Sequence, residues 1–322
     1  MDKHGLVDDS RRDIDALEGG LPVITRFRPL PSFRSSLSLL FIIFCLSFSA
    51  CDRGGSVSFA GTDPQADYNV AVQDASNMTA EKISKRLTAI VPENKSLTWE
   101  NDAPGTRVLM ATLLGSQTAC AGYLDPAAPG CKAGAECAAY KYNSWVTVVP
   151  ELKNLLGSSP TLLRVDQALG LPPPAVGQTL DTTCVIELYV SPDNLFRPSP
   201  DPEITDHEAE LHFPPDAFRK YDDAALVYSE MPCDAGRCPV CTSSGKCGMT
   251  TYKNWFDNRR AYVYSQTAVN GPYPWTGLGY TYDWGNPTPP HIGLSEFVIN
   301  SGSSGAPVFI KSVTWTGAYF VQ

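Results

Sequence analysis

The pattern of apolar and polar positions predicts several short strands. The unbroken apolar run Cys184–Val190 is typical of a buried strand, and residues 144–149 predict a second one. Residues 225–229 predict a further strand. Near the end of the sequence, 295–299 and 308–313 are separated by glycines and serines, so they are predicted to form a hairpin.

Helices are predicted between these strands at irregular intervals. One begins at Pro150 and covers 150–156, a second covers 162–169, and a longer one covers 250–264. Strands and helices mixed without regular alternation indicate an α+β fold rather than a doubly wound parallel sheet. The prediction is a mixed or antiparallel sheet with a few short helices and disulfide-stapled loops.

An uncharged apolar run at 37–48 predicts an export signal. It follows three basic residues, Arg26, Arg28 and Arg34. The run is much shorter than the roughly 20 residues that cross a bilayer, and it has the length of a signal-peptide core. An ordinary cleaved signal and a short buried helix are the alternatives.

The residues after this run, Phe48-Ser49-Ala50-Cys51, resemble the lipobox of bacterial lipoproteins, with Phe48 where leucine is usual. The resemblance implies that Cys51 is acylated and becomes the N-terminus of the exported protein. Acyl chains such as palmitate would then hold the protein at the extracytoplasmic face of a bacterial cell membrane. Whether that membrane is the inner or the outer one stays open.

Three regions follow from this interpretation. Residues 1–50 are assigned to a signal peptide, 51–84 to a polar lipid-anchored tether, and 85–322 to one globular α+β domain. Residues 1–22 are rich in acids, unlike a basic signal-peptide start, so translation is expected to begin downstream, near Val23.

Composition and cysteine content restrict the chemistry. The net charge of −9 argues against a broad nucleic-acid surface, and no cofactor is predicted. An even number of cysteines in an exported domain predicts disulfides, with zinc and iron–sulfur binding as alternatives. The disulfide candidates are Cys120, Cys131, Cys137, Cys184, Cys233, Cys238, Cys241 and Cys247.

The acidic segment 201–216 is the first candidate site. Interpreted as a strand, it places Asp206, Glu208, Glu210 and His212 on one face and His207 on the other. Carboxylates and imidazoles bind metals and move protons, so His207, Glu210 and His212 are candidates for metal-assisted hydrolysis. A solvated acidic strand face is the alternative.

The sequence Gly302-Ser303-Ser304-Gly305 is similar to the nucleophile motif of chymotrypsin-like serine proteases. The resemblance implies Ser304 as nucleophile and His207 or His212 as its base. The short sequence after Ser304 and the predicted helices do not match the two β-barrels of that family, so a Gly/Ser hairpin loop is the main alternative.

Aromatic residues and one glutamate supply two further candidates. Trp275, Tyr280, Tyr282 and Trp284 are predicted to form a face that stacks on sugar rings, with peptidoglycan as partner, or to belong to the core. Separately, Glu296 lies in a strand–glycine–strand outline similar to the end of ADP-ribosyltransferase domains, with Arg107 as its candidate partner.

Three blocks within 145–322, WVTVVPEL, LFRPSPDPEITD and YPWTGLGYTYDWGN, resemble an uncharacterised group of bacterial proteins. The resemblance implies a shared domain and no activity. The sequence therefore predicts a lipid-anchored extracytoplasmic protein with an envelope-binding or glycan-binding role. A hydrolase or transferase is the alternative.

Overall fold

A curled antiparallel sheet forms the centre of the fold, as the sequence predicts. The computed structural model describes residues 63–127, 130–141, 143–213, 227–232, 246–265, 271–302 and 304–321. They lie in one unit, Gly54–Gln322. In these ranges the helices are α1 (Pro64–Ala75), α2 (Gln117–Leu124), α3 (Glu151–Leu156), α4 (Leu162–Ala168), α5 (Tyr252–Val263) and α6 (Thr316–Tyr319).

Seven strands form the main sheet: β1 (Val108–Leu114), β2 (Ala135–Tyr140), β3 (Trp145–Val148), β4 (Cys184–Val190), β5 (Leu195–Phe196), β10 (Phe297–Ile299) and β11 (Ala306–Trp315). Their order is β2-β11-β4-β1-β3-β10-β5, and all neighbours are antiparallel. Two smaller antiparallel pairs join β6 (Val227–Pro232) to β7 (Lys246–Thr250) and β8 (Tyr280–Tyr282) to β9 (Ile292–Ser295).

Strand β4 lies between β1 and β11 and is buried on both faces. Its Ile186 packs into one apolar cluster with Met110 of β1, whereas its Val185 packs into another with Leu152 of α3 and Val165 of α4. Burial on both faces explains why the sequence of β4 is continuously apolar rather than alternating.

The predicted hairpin of the last two strands is wrong. Both strands exist, but β10 pairs with β3 and β5, whereas β11 pairs with β2 and β4. Apolar patterning shows that a strand has a buried face, but it does not identify the neighbouring strand.

Helix α1 corrects the predicted boundary between tether and domain. It lies inside the range 51–84, yet its Tyr68 and Ala71 pack against Tyr282 and Trp284. The hydroxyl of Tyr282 also donates a hydrogen bond of 2.8 Å to Asp74 Oδ2. The packed domain therefore includes α1. The sequence concealed this because α1 buries mostly small residues and has a largely polar surface.

Two disulfides confirm part of the cysteine prediction. Cys120 of α2 is bonded to Cys184 of β4, with 6.0 Å between their Cα atoms, and Cys131 is bonded to Cys137. Of the remaining candidates, Cys233, Cys238 and Cys241, and the side chain of Cys247, lie outside the described residues, as does Cys51. No helix among the described residues has the length and apolar character needed to cross a membrane.

Arg197 is fully buried beside the short strand β5. Its guanidinium donates to the backbone oxygens of Glu203 and Asp206, each at 3.0 Å, and to that of Thr88 at 3.4 Å. It also lies 5.4 Å from the centre of the Phe297 ring in β10. One cation therefore joins three backbone segments to the main sheet.

Gly279 is the position where the chain passes over Arg197. Its φ is +71°, and an added Cβ would lie 2.6 Å from Arg197 Cδ. Gly279→Ala should therefore lower the free energy of unfolding by about 2 kcal/mol or more, measured by urea denaturation.

Gly122→Ala is the matched control, because Gly122 is within α2 and an added Cβ meets nothing within 4 Å. It should leave stability unchanged or raise it by up to about 1 kcal/mol. Equal effects of the two substitutions would contradict the packing of Gly279 on Arg197.

Candidate functional site

The acidic segment is not the strand that the sequence predicts. Residues 201–213 form an irregular loop that lies alongside the segment 87–90. Two backbone hydrogen bonds join them: Ile90 N–H donates to Ile204 O at 2.7 Å, and Leu87 N–H donates to His207 O at 2.9 Å. Arg197 binds carbonyl groups of this loop, which are therefore not available for a regular strand ladder.

The loop brings acids together without a metal-binding arrangement. Burial, followed by the nearby charges of Asp201 and Asp206, raises the pKa of Glu210 to about 7. Glu208 forms an ion pair with Lys85. Within the described ranges, no group of three His, Cys, Asp or Glu side chains could hold a metal ion. This part of the chain therefore gives metal-assisted hydrolysis no ligand set.

The serine-protease arrangement is not assembled in the described residues either. Ser304 is exposed in the turn before β11, and Ser303 lies outside those residues. His207 and His212 are exposed on the acidic loop, and His207 Nδ1 is 2.7 Å from Leu87 O. No hydrogen bond in the described part of the chain joins either histidine to Ser304.

The predicted sugar-stacking face is buried. Trp275, Tyr280, Tyr282 and Trp284 are at most 4% exposed. The polar ends of two of them bond to backbone, since Tyr280 Oη donates to Lys82 O at 2.8 Å and Trp284 Nε1 donates to Leu171 O at 3.0 Å. These aromatic residues are therefore core, because α1 and neighbouring loops cover the β8 strand on both sides.

A cavity lies next to this aromatic core, and we call it the Glu296 cavity. It has two adjoining parts of about 250 and 280 Å³, which share Trp145, Leu169, Leu171, Thr281 and Glu296 in their walls. Tyr273, Trp275 and Tyr282 complete the wall of the first part. The lining is therefore mostly aromatic and aliphatic, with one carboxyl group.

Glu296 lies between β9 and β10, and its backbone N–H donates to Gly279 O at 2.9 Å. Part of its side chain is open to the cavity, whereas Oε2 is inaccessible and has no hydrogen-bond partner among the described residues. Burial raises the pKa of this carboxyl to about 8, although the charge of Arg259 acts in the opposite direction. Glu296 is therefore expected to be uncharged at neutral pH.

Trp275 contributes an aromatic ring to the same wall. The residue is 4% exposed, and its Nε1 has no hydrogen-bond partner in the described structure. Its ring meets that of Trp145 edge to face, with 5.7 Å between the ring centres. The indole ring of Trp275 and the side chain of Glu296 thus belong to the wall of one cavity, whereas the indole N–H itself is inaccessible.

The cation near Glu296 is not the one that the sequence suggested. Arg107 donates to Glu100 and Glu136 at 2.6–2.8 Å, so it belongs to a separate ion-pair network. Arg259 instead comes from α5 and lies 5.7 Å from the centre of the Trp145 ring. The predicted pairing of Arg107 with Glu296 is therefore wrong.

The backbone that carries Glu296 is held by a polar network. Ser295 N–H donates to Glu151 Oε2 at 2.8 Å, and Thr88 N–H donates to Ser295 Oγ at 2.8 Å. Thr88 and Thr147 also donate their hydroxyls to Glu151. These bonds fix the start of β10 and thereby place Glu296 at the cavity wall.

Sequence reasoning selected Glu296 but missed most of its surroundings. The walls at Trp145, 169–172 and Tyr273 come from three distant segments. The signal that selected Glu296 was its strand–glycine–strand outline, which says nothing about these distant walls.

No protein-family model matches this chain, and no curated protein or solved structure is similar to it at a significant level. The geometry of the Glu296 cavity is therefore the basis for a functional proposal, and the resemblance of 145–322 to a bacterial group stays a prediction.

The raised pKa of Glu296 predicts a pH-dependent stability. Because the pKa is about 8 in the folded protein and 4.5 ordinarily, folding takes up a proton between these values, and stability falls as the pH rises through them. Each unit corresponds to about 1.4 kcal/mol, an upper limit because part of the side chain is open to solvent.

Glu296→Gln should remove this part of the pH dependence, measured as the free energy of unfolding by urea across that range. The exposed Glu93→Gln is the matched control and should leave the dependence as in the wild type. A pH profile of Glu296→Gln that parallels the wild type would show that Glu296 does not titrate abnormally.

Proposed function

We propose that this protein is an exported, lipid-anchored binding protein whose domain holds a small organic ligand in the Glu296 cavity. The observation that carries the proposal is a mainly apolar cavity with one half-buried acidic residue, Glu296, in the wall of both of its parts. Ligand sites commonly combine apolar walls with a few polar groups that orient the ligand.

Burial without a partner has a cost that a ligand could offset. A buried polar group that lacks a hydrogen bond destabilises the folded state by about 1–3 kcal/mol. A ligand that hydrogen-bonds the Glu296 carboxyl from the cavity would offset such a cost.

The proposed extracytoplasmic location is supported by the sequence 37–51, which contains the apolar run and the lipobox-like segment Phe48–Cys51. Several acyl chains anchor a protein firmly, whereas one chain binds only marginally. Peptidoglycan as a partner is not part of the proposal, because the four aromatic residues that suggested it are buried.

Lipid attachment is tested by growing cells that express the protein with radiolabelled palmitate. The wild type should incorporate label and sediment with membranes, whereas Cys51→Ala should do neither. Cys45→Ala changes a cysteine within the apolar run and should remain labelled. Equal labelling of wild type and Cys51→Ala would remove the lipoprotein proposal.

Ligand binding is tested with toluene as a probe in saturation-transfer NMR on the purified protein. The wild type should give a transfer signal, and Leu171→Trp should abolish it because Leu171 lines both parts of the cavity. Leu155→Trp is the control, since Leu155 is similarly exposed but lies on α3 outside the cavity wall. An unchanged signal in Leu171→Trp, or none in the wild type, would contradict the proposal.

A catalytic role for Glu296 is the second candidate. A carboxyl with a pKa of about 8 can give or take a proton near neutral pH, as general acids and bases of hydrolases and transferases do. Chemical conversion of a bound compound by the wild type but not by Glu296→Gln, detected by mass spectrometry, would favour this role. Unchanged recovery would favour binding alone.

A further inference from the structure

An apolar loop borders the mouth of the Glu296 cavity. Leu171 lines both parts of the cavity and is exposed, so it stands at the opening. The loop continues through three half-buried prolines, 172–174, to Val176, whose side chain is fully exposed. A single exposed apolar residue is ordinary, whereas a contiguous group of them at a cavity mouth marks a contact surface.

A pinned turn holds Val176 outwards. Gln178 N–H donates to Ala175 O at 2.9 Å, and Ala175 N–H donates to Gln178 Oε1 at 3.0 Å. Gln178 Nε2 also donates to Gly115 O at 2.8 Å, which fixes the turn to the end of β1. The exposed position of Val176 is therefore set by hydrogen bonds of the fold.

Two uncharged stretches of sequence meet at this point. No Asp, Glu, Lys or Arg occurs in 108–124 or in 167–180, although such residues make up 18% of the chain. The first stretch adds Leu113 and Leu114, which are half-buried and line the second part of the cavity. We call this group the apolar rim, and its members are Leu113, Leu114, Leu171 and Val176.

The apolar rim lies near the start of the folded domain. Tyr68, in the first half of α1, meets Trp284 edge to face, with 5.8 Å between the ring centres. Trp284 Nε1 in turn donates to Leu171 O at 3.0 Å. One tryptophan therefore separates the first half of α1 from the mouth of the cavity.

The length of sequence between Cys51 and α1 limits which side of the domain can reach a membrane. The chain from Cys51 to Asp63 spans at most about 40 Å, at roughly 3.4 Å per fully extended residue. A domain with the length of the unit Gly54–Gln322 is about 45 Å across. A lipid on Cys51 would therefore hold the side at α1 towards the bilayer, because the opposite side is out of reach.

Charge favours contact through the same surface. The protein has a net charge of −9, and anionic lipids repel acidic protein surfaces. The apolar rim avoids this repulsion because its two stretches carry no charge. Its aliphatic side chains also gain free energy when they leave water for the boundary of the acyl chains.

We propose that the apolar rim rests on the phospholipid bilayer that holds the lipid anchor, so that the mouth of the Glu296 cavity faces the membrane. Leu171 and Val176 make the contact, since they are the exposed members of the rim. This inference rests on the lipid anchor and the ligand cavity proposed above, and it adds an orientation to them.

Photo-crosslinking of the full chain in the membranes of expressing cells tests this contact. p-Benzoylphenylalanine replaces Val176 or, as the matched control, Thr205, which is equally open to solvent but lies on the acidic loop. After irradiation, mass spectrometry should detect phospholipid adducts on the peptide that contains position 176 and none on the peptide that contains position 205. Because both positions are exposed, neither replacement should disturb folding.

Three results would overturn the proposal. One is the absence of lipid adducts at position 176, and another is equal lipid adducts at both positions, which would show that the domain has no preferred orientation. The third is cross-linking from position 176 to a second copy of the chain or to another protein, which would make the rim a protein interface.

The experiment also separates this inference from the proposed function. Missing palmitate label on the wild type would remove the lipid anchor and the orientation with it. A labelled wild type without lipid adducts at position 176 would overturn the orientation alone. Toluene binding to the purified protein is independent of both, so it continues to test the cavity by itself.

Discussion

The buried guanidinium of Arg197 is the interaction on which the arrangement around the cavity depends. A cation removed from water is unfavourable unless its donors find acceptors, and burial lowers the pKa of this group for the same reason. Three backbone carbonyls, from Thr88, Glu203 and Asp206, supply acceptors for Nε and Nη2, and Asp206 adds a carboxylate oxygen 3.8 Å away, whereas Nη1 has no hydrogen-bond partner among the described residues. The acidic loop therefore folds around Arg197, which prevents it from forming a strand.

The side chain of Arg197 also supports the backbone that carries Glu296. Phe297 packs on the guanidinium, Gly279 passes over its aliphatic part, and Gly279 O accepts the backbone N–H of Glu296. Glu151 and Thr88 hold the adjacent Ser295. Glu296 thus stands on a rigid support, and this explains how a carboxyl is kept in an apolar wall without a bonding partner of its own.

Local patterns predicted the elements but not their neighbours. The sequence correctly predicted the strand at Cys184–Val190 and the helices near 150–156, 162–169 and 250–264. The signals for these elements, a continuous apolar run and capping residues, are local in sequence. The pairing of β10 with β3 depends on contacts between residues far apart in sequence, and so do the aromatic walls of the cavity.

Errors at the predicted sites have a common cause. Tyr282 and Trp284 alternate as a binding face would, but α1 covers them, so the core alternative holds, and the polar sequence of α1 gave no sign of this packing. The acidic segment alternates as a strand would, but two of its backbone carbonyls, those of Glu203 and Asp206, accept hydrogen bonds from Arg197. Glu296 was selected through a strand–glycine–strand resemblance, whereas Trp275 was left open between a stacking face and the core.

The central claim is that Glu296 is an uncharged acid in the wall of a ligand cavity. Infrared difference spectroscopy between the wild type and Glu296→Gln tests it most directly, because Asp166 and Glu210, whose pKa values are also raised, cancel in the difference. The account predicts the carbonyl band of a protonated carboxyl at neutral pH in the wild type alone, replaced by carboxylate bands above about pH 8. A difference spectrum that contains only carboxylate bands at neutral pH would contradict it.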